Sequence, residues 1–476
     1  MKKILLIFCL IITLAAAGGA YCYFANPLSK EASPNIVLIV SDALRSDVIG
    51  CYGGDDIRTP NIDYLASQGV LFENAYTSSP YTSSSSVGMF TGVFPGAYRK
   101  GNHASVALRQ YEVPEDHFSI GDLFQSSHYF LLADIENIMV TRSALKGFKF
   151  LSAIYEIPLP QKLEIEQATG IKDLSDAYHK MYYSLKRLFN MPLKNQPFFF
   201  IKWILDPHSP YNPPEKFKET IPVDVSQLSE DPEYYSEHKL FKRTDICQWS
   251  PQEQIYLKEL YKKEVETVDE RLGFILKALK YRNVLDNTFI IFTSDHGELF
   301  GEKNQWGHGQ NYFEKLVRVP LIVSGPGIPK GRKVPNLVSL IGLTPTIADI
   351  LSLEIKGDIQ GESFAKLLFK DSGRNQNIYV EQVGQDAFDD LDAYREDNYK
   401  LFLFKGGRRE LYNIEKDPAE LNDIATGNTD IIEKMIEKVK TLRADNLKRK
   451  AWFKDEPEVA MDQETVDNLR TLGYIQ

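Results

Sequence analysis

Thr288-Phe-Ile-Ile-Phe-Thr-Ser-Asp295-His296-Gly297-Glu298 opens as an unbroken apolar and β-branched run and closes on two acids and a histidine. A strand exposed on one face would alternate polar and apolar residues. This one does not, so it reads as buried on both faces, the habit of parallel sheets covered by helices. Two other runs share the pattern: Asn35–Val40 leads into Ser41-Asp42, and Phe198–Leu205 leads into Asp206-Pro207-His208. Val319–Val323 reads as a further strand with Pro320 near its start. Between them, Leu257, Leu260, Val265, Val268, Leu272 and Ile275 recur at helical spacing within Glu253–Arg282. Strands and helices in alternation predict an α/β fold, a three-layer α/β/α arrangement with a mostly parallel central sheet.

The tail differs. Tyr399–Phe404, Lys405-Gly-Gly-Arg408 and Glu410–Ile414 read as a hairpin, with helical segments at about 430–443 and 463–472. A small C-terminal α+β subdomain with an antiparallel sheet is therefore expected over 372–476, after a catalytic domain over 34–371.

The 476 residues are 43% hydrophobic and 25% charged with 4 cysteines, figures that exclude disordered, collagen-like, disulfide-stapled and polytopic membrane chains. A net charge of −10 argues against nucleic-acid binding, which draws its affinity from Lys and Arg against phosphates. An anionic substrate stays open, because a local positive centre overrides the net field.

Lys2 and Lys3 precede an apolar run from Ile4 to Phe24 that Asn26-Pro27 ends. Residues 1–26 read as either a cleavable signal peptide or an uncleaved N-terminal membrane anchor. Both readings export the rest of the chain to a periplasm, cell envelope or extracellular space. Cys9 and Cys22 lie in this leader, and Cys51 and Cys247 are too few for a disulfide framework. Cys51, in a Gly-Cys-Tyr-Gly turn, reads as packing.

Ligands bind open α/β sheets outside the carboxyl ends of the strands. Asp42, Asp206, Asp295, His208 and His296 are therefore expected at one rim. Clustered unpaired carboxylates would raise one another's pKa, and a divalent cation removes that difficulty. The candidate nucleophile lies in Ser79-Pro-Tyr-Thr82-Ser-Ser-Ser-Ser-Val-Gly-Met-Phe-Thr91-Gly92, where a helix starting near Thr82 would aim backbone N–H groups at an anion. A helix end contributes at most ~2 kcal/mol to an alkoxide. A metal that lowers a bound hydroxyl's pKa from about 15.7 to roughly 7 supplies on the order of 12 kcal/mol. Thr82 is then a nucleophile only if it is also a ligand.

In this order the motifs closely resemble the sulfatase family of the alkaline-phosphatase superfamily, over nearly all of the chain after the leader. Asn35–Gly53, Thr59–Tyr76, Asp206–Tyr211, Phe292–Glu298, Trp306-Gly-His308-Gly309, Glu314 and Arg318-Val-Pro320 carry the resemblance. Glu410–Pro418 and Leu472-Gly-Tyr-Ile475 continue it to the end. The departures are informative. Thr82 stands where the family has the Cys or Ser of C/S-x-P-S-R that becomes formylglycine, and the extra methyl of Thr would leave a ketone instead. Ser84 and Ser86 replace the Pro and Arg of that signature, Ala43 replaces a second Asp, and His308 replaces the Lys of W-G-K-G. Asp134 and Glu136 occupy the region where sulfate-binding Lys and His belong.

A Thr nucleophile looks more like the relatives that act on phosphate esters: phosphodiesterases, phosphonate monoester hydrolases, and phosphoethanolamine and phosphoglycerol transferases. That resemblance implies Asp42, Thr82, Asp295 and His296 as metal ligands, with Thr82, His208 and His308 catalytic. The two histidines would contact the anion or protonate the leaving oxygen. The family implies calcium; a His ligand and a lost carboxylate move the preference toward manganese or zinc. A second metal on Asp206, His208 and His308 is the less favoured arrangement. The substrate would be an anionic phospho- or sulfo-ester of a lipid, glycan or small molecule. Two other functions stay in view, a sulfatase with unmodified Thr and a non-catalytic binding protein on a degenerate scaffold. Arg45 and Asp47 read as a pair fixing their loop, and Arg99, Lys100 and His103 as a basic turn that could meet substrate. Glu298, Glu302 and Lys303 read as loop surface.

Overall fold

A computed structural model describes residues 33–98, 111, 113–150, 159–171, 176–190, 196–237, 249–309, 311–370, 373–381 and 391–450. The leader, Arg99, Lys100, His103, Cys247 and the 463–475 stretch lie outside these residues.

Strands β1 (Asn35–Ser41), β2 (Gly69–Tyr76), β3 (Phe130–Ile135), β4 (Phe198–Ile204), β5 (Thr288–Ser294), β6 (Leu321–Ser324) and β7 (Arg332–Ser339) form one sheet in the order β7-β2-β6-β5-β1-β4-β3. Two-residue strands at Lys149–Phe150 and Arg318–Val319 complete it. β1 runs parallel between β4 and β5, so Ser41 faces Ile204 on one side and Ser294 on the other. All three are buried along their whole length, which is why none alternates. Lys202 sits in the middle of β4 and is tolerated there because Asp134 and Glu136, at 3.0 and 2.6 Å, neutralise it.

The Val319–Val323 run is not one strand. Pro320, which has no N–H to donate, separates Arg318–Val319, paired to the end of β2, from β6, which is antiparallel to β2 and β5.

Helices α1 (Pro60–Ser67), α2 (Thr82–Thr91), α3 (Leu159–Thr169), α4 (Asp176–Asn190), α5 (Pro251–Tyr281), α6 (Leu343–Leu351) and α7 (Thr429–Lys450) follow in chain order. α1, α3, α4 and α5 pack on one face of the sheet and α2 and α6 on the other, giving the expected three layers. Ser250 and Glu253 cap α5 reciprocally, fixing where that long helix starts. Met181 and Tyr182 of α4 are core residues. Burial pushes the Cys51 thiol up to about 12, as suits a packing cysteine.

A second sheet, β8 (Ile378–Glu381), β9 (Asp392–Glu396), β10 (Tyr399–Leu403) and β11 (Arg409–Asn413), is antiparallel throughout. Gly406 and Gly407 supply the left-handed turn of the predicted hairpin. α7 packs on this sheet. Glu314 joins it to the larger layer. Its carboxylate accepts from Tyr76 of β2 at 2.8 Å and pairs with Arg395 and Lys400 at 3.1 and 2.9 Å. Burial alone would push this acid up, but the Lys400 and Arg395 charges hold it at about 2. Removing one partner strands buried charge. Glu314→Gln should cost about 3 kcal/mol of stability, read from the denaturant midpoint; an unchanged midpoint would contradict the role given to this joint.

Candidate active site

The site lies at the carboxyl ends of β1 and β5, with the start of α2 brought against them. Asp42 and Asp295 follow equivalent positions of the two paired strands, and both are fully buried. After β1 the chain turns through Ala43, whose left-handed φ of 57° points its N–H at Asp295 Oδ1, 3.1 Å away. After β5 it turns through Gly297, where a Cβ would stand 2.0 Å from the Lys315 carbonyl. Only glycine allows that approach.

One atom each from Asp42, Asp295 and His296 falls within 4.8 Å of the others. His296 Nε2 is 3.8 Å from Asp42 Oδ1 and 3.4 Å from Asp295 Oδ2. His296 Nδ1 lies 2.9 Å from the Gly297 carbonyl, which can only accept, so Nδ1 carries the proton and Nε2 offers its lone pair to the cluster. Thr82, the first residue of α2, places Oγ1 3.4 Å from that nitrogen. Ser85, one turn on, ties α2 to the Asp295 carbonyl at 2.9 Å.

The other carboxylate oxygens are occupied. Asp42 Oδ2 accepts from Asn137 Nδ2 at 2.6 Å and Trp203 Nε1 at 3.0 Å, and Asp295 Oδ1 accepts from the Ala43 and His296 N–H groups. Asp42 Oδ1 and Asp295 Oδ2 have no hydrogen-bond partner among the described residues. Buried acids with one such oxygen each, converging on an imidazole lone pair, fit a single divalent cation. Burial, with Asp295 next to it, pushes Asp42 up, and burial pushes Asp295 up to about 7. Burial pushes His296 and His308 down to about 3, so both are neutral imidazoles.

Three histidine rings meet here at tilted angles, His308 lying 4.3 Å from His296 and 5.0 Å from His208 between centroids. His208 Nδ1 meets the Ser209 carbonyl at 2.6 Å. Asp42, Thr82, Asp295, His296, His208 and His308 thus gather as the sequence led us to expect. Asp206 does not join them. Its carboxylate is 2.8 Å from Arg271 of α5, so the second-metal set of Asp206, His208 and His308 lacks its acid. Asp134 and Glu136 also serve cations, Arg187 and Arg271 besides Lys202, and not the pocket. Arg45 and Asp47 form the expected pair, at 2.9 Å. Glu302 pairs with Arg45 at 2.8 Å, and Lys303 lies over the Phe313 ring.

Glu298 is a correction: it is not loop surface but fully buried, with Oε1 3.0 Å from His308 Nδ1. Asn137 and Trp203 also belong to the site, and no local pattern marks either: Trp203 lies opposite Val40, two places before Asp42, only once β1 and β4 pair.

Buried acids, an imidazole lone pair and a hydroxyl converging at the carboxyl rim of an α/β sheet define an ester hydrolase. A model of the sulfatase family matches residues 34–353, and one of the N-sulphoglucosamine sulphohydrolase C-terminal region matches residues 301–445. The chain belongs to the sulfatase family. It is 26% identical over 418 residues to the uncharacterized sulfatase YidJ of Escherichia coli, covering 82% of this chain and 83% of that one. It is 24% identical over 430 residues to a choline-sulfatase of Rhizobium meliloti, covering 82% of each. Among solved structures, the phosphonate monoester hydrolase of Agrobacterium radiobacter superposes with a TM-score of 0.69 at 20% identity, over 87% of this chain and 96% of that one. BT4656, solved with its substrate D-glucosamine-2-N,6-O-disulfate, superposes at 0.67 and 20% identity, over 90% of this chain and all of that one (100%).

Proposed function

We propose that the protein is an exported, metal-dependent member of the family, a hydrolase or transferase that acts on phosphate esters through Thr82. The observation that carries this reading is the Thr82 hydroxyl, 3.4 Å from the free nitrogen of His296 at the start of a buried helix. Asp42, Thr82, Asp295 and His296 would hold one divalent cation, which lowers the pKa of the Thr82 hydroxyl.

Phosphate is favoured over sulfate because Thr82 cannot become formylglycine. The signature Arg is also absent: Ser86 stands there, and its hydroxyl donates to the Ser83 carbonyl. The N–H groups at the start of α2 receive the ester oxygens. Thr82, its hydroxyl proton lost to solvent, attacks phosphorus in line. The P–O bond to the alcohol breaks, its electron pair leaves on the alcohol oxygen, and that oxygen takes the proton that His208 or His308 has first drawn from solvent on binding the anionic ester. Water or an acceptor alcohol then attacks the phosphothreonine, gives its proton to the same imidazole, and frees Thr82.

The test is a panel of aryl phosphate monoesters, diesters and sulfates, together with metal analysis. Phosphate esters should turn over faster than the sulfate; the reverse order would favour the sulfatase reading. The supporting shell is testable separately. Trp203→Phe removes a donor that orients Asp42 and should weaken cation binding about 10- to 100-fold, measured by calorimetry on metal-free protein.

A further inference from the structure

We infer that Glu298 is a positioning residue for His308, holding the imidazole so that Nε2 exchanges the proton with the oxygen that leaves phosphorus and the oxygen that later enters. The inference rests on the threonine-phosphate reading above and assigns, of its two candidate histidines, the one that carries the proton.

Glu298 follows the tight turn at Gly297 and is completely buried. Its two oxygens are divided between the two histidine-bearing loops. Oε1 meets His308 Nδ1 at 3.0 Å, and Oε2 accepts from Tyr211 Oη, three residues after His208, at 3.2 Å. Neither partner is a cationic side chain, and a buried acid is a poor device for stability alone. At His208 the acceptor facing Nδ1 is the neutral Ser209 carbonyl, which supports an imidazolium less than a carboxylate does. A carboxylate fixes the tautomer and ring angle and supports the imidazolium formed when Nε2 takes a proton. In the resting neutral ring the proton is on Nδ1, toward Glu298, and the lone pair is on Nε2. That form accepts a proton from water as its oxygen bonds to the phosphorus of phosphothreonine and the P–Oγ bond breaks. The imidazolium so formed returns its proton to solvent, and by reversibility the same nitrogen, protonated again when the next ester binds, is the donor to the leaving alcohol.

An aryl phosphate with a good leaving group needs little help in the first step, so loss of Glu298 should slow the second. Glu298→Ala should lower kcat on the order of a hundredfold, show a burst of aryl alcohol, and accumulate phosphate on the peptide containing Thr82. Glu298→Gln can still accept from Nδ1–H and donate to Tyr211 but lacks the charge that supports the imidazolium, and should restore the tautomer and only part of kcat. A damaged fold would produce neither burst nor rescue. Long-range ¹H–¹⁵N spectra of His308, assigned against His308→Gln, should show the Nδ1–H tautomer in the parent protein and its loss in Glu298→Ala. An Nε2–H tautomer in the parent protein overturns the inference whatever the activity data give. Full kcat in Glu298→Ala, with Thr82→Ala inactive, overturns the inference and leaves the function standing. Full activity in Thr82→Ala overturns the function, and the tautomer then decides the Glu298–His308 contact alone.

Discussion

Thr82→Ala lowers kcat/KM for aryl phosphate esters by about 10⁴-fold or more, while Thr82→Ser keeps most of it. The hydroxyl is the only nucleophilic atom of that side chain, and no rate remains beyond what binding and the helix start supply once it is gone. Stability should move little, because Thr82 is the first residue of α2 and its backbone N–H is outside the helix's own hydrogen bonds. Stopped assays on both variants, with melting curves as the control, check the prediction. Wild-type rates from Thr82→Ala would revive the binding-protein alternative.

Chelation should abolish turnover, and zinc or manganese should restore it where calcium does so poorly. The reason lies in the carboxylate oxygens already taken. Asn137 and Trp203 occupy Asp42 Oδ2, and two N–H groups occupy Asp295 Oδ1. What is left is one oxygen from each acid, one imidazole nitrogen and the threonine hydroxyl. Calcium seeks six to eight oxygens and often bidentate carboxylates; a small set containing nitrogen suits zinc. Metal-free protein should bind zinc at least about 100-fold more tightly than calcium. Protons compete for the same oxygens. Burial pushes both acids up, Asp295 to about 7, so affinity should fall at least about tenfold per pH unit below that point. His296, neutral down to about 3, adds no competing proton in that window. Ala43→Asp would return the missing acid at a left-handed position that Asp tolerates better than Ala, and should narrow the zinc-to-calcium ratio. Tighter calcium binding by the parent protein would contradict this account.

The parts of the site legible in the sequence were those fixed by single strands. β1, β4 and β5 are buried on both faces, so their runs are continuous and their ends can be placed to within a residue. The acid or histidine after each end is then located by the sheet itself. Whatever depends on a second stretch of chain was hidden. Asp206 looks equivalent to Asp42 and Asp295 by position, but Arg271, on a helix far along the chain, claims it. Glu298 reads as surface because no local pattern reveals that Tyr211 and His308 close over it. The Val319–Val323 run reads as one strand although Pro320 breaks it, and the antiparallel course of β6 depends on where β2 lies, which nothing local records.

The Glu314 joint has a bearing on how the molecule can be cut. A chain truncated at 371 would keep that glutamate and Tyr76 but lose Arg395 and Lys400, and would bare to water the apolar side chains, Leu316, Val317 and Leu337 among them, that pack against the smaller sheet. The larger layer is therefore not a portable enzyme, and the smaller sheet travels with it as ballast that any minimal version must retain.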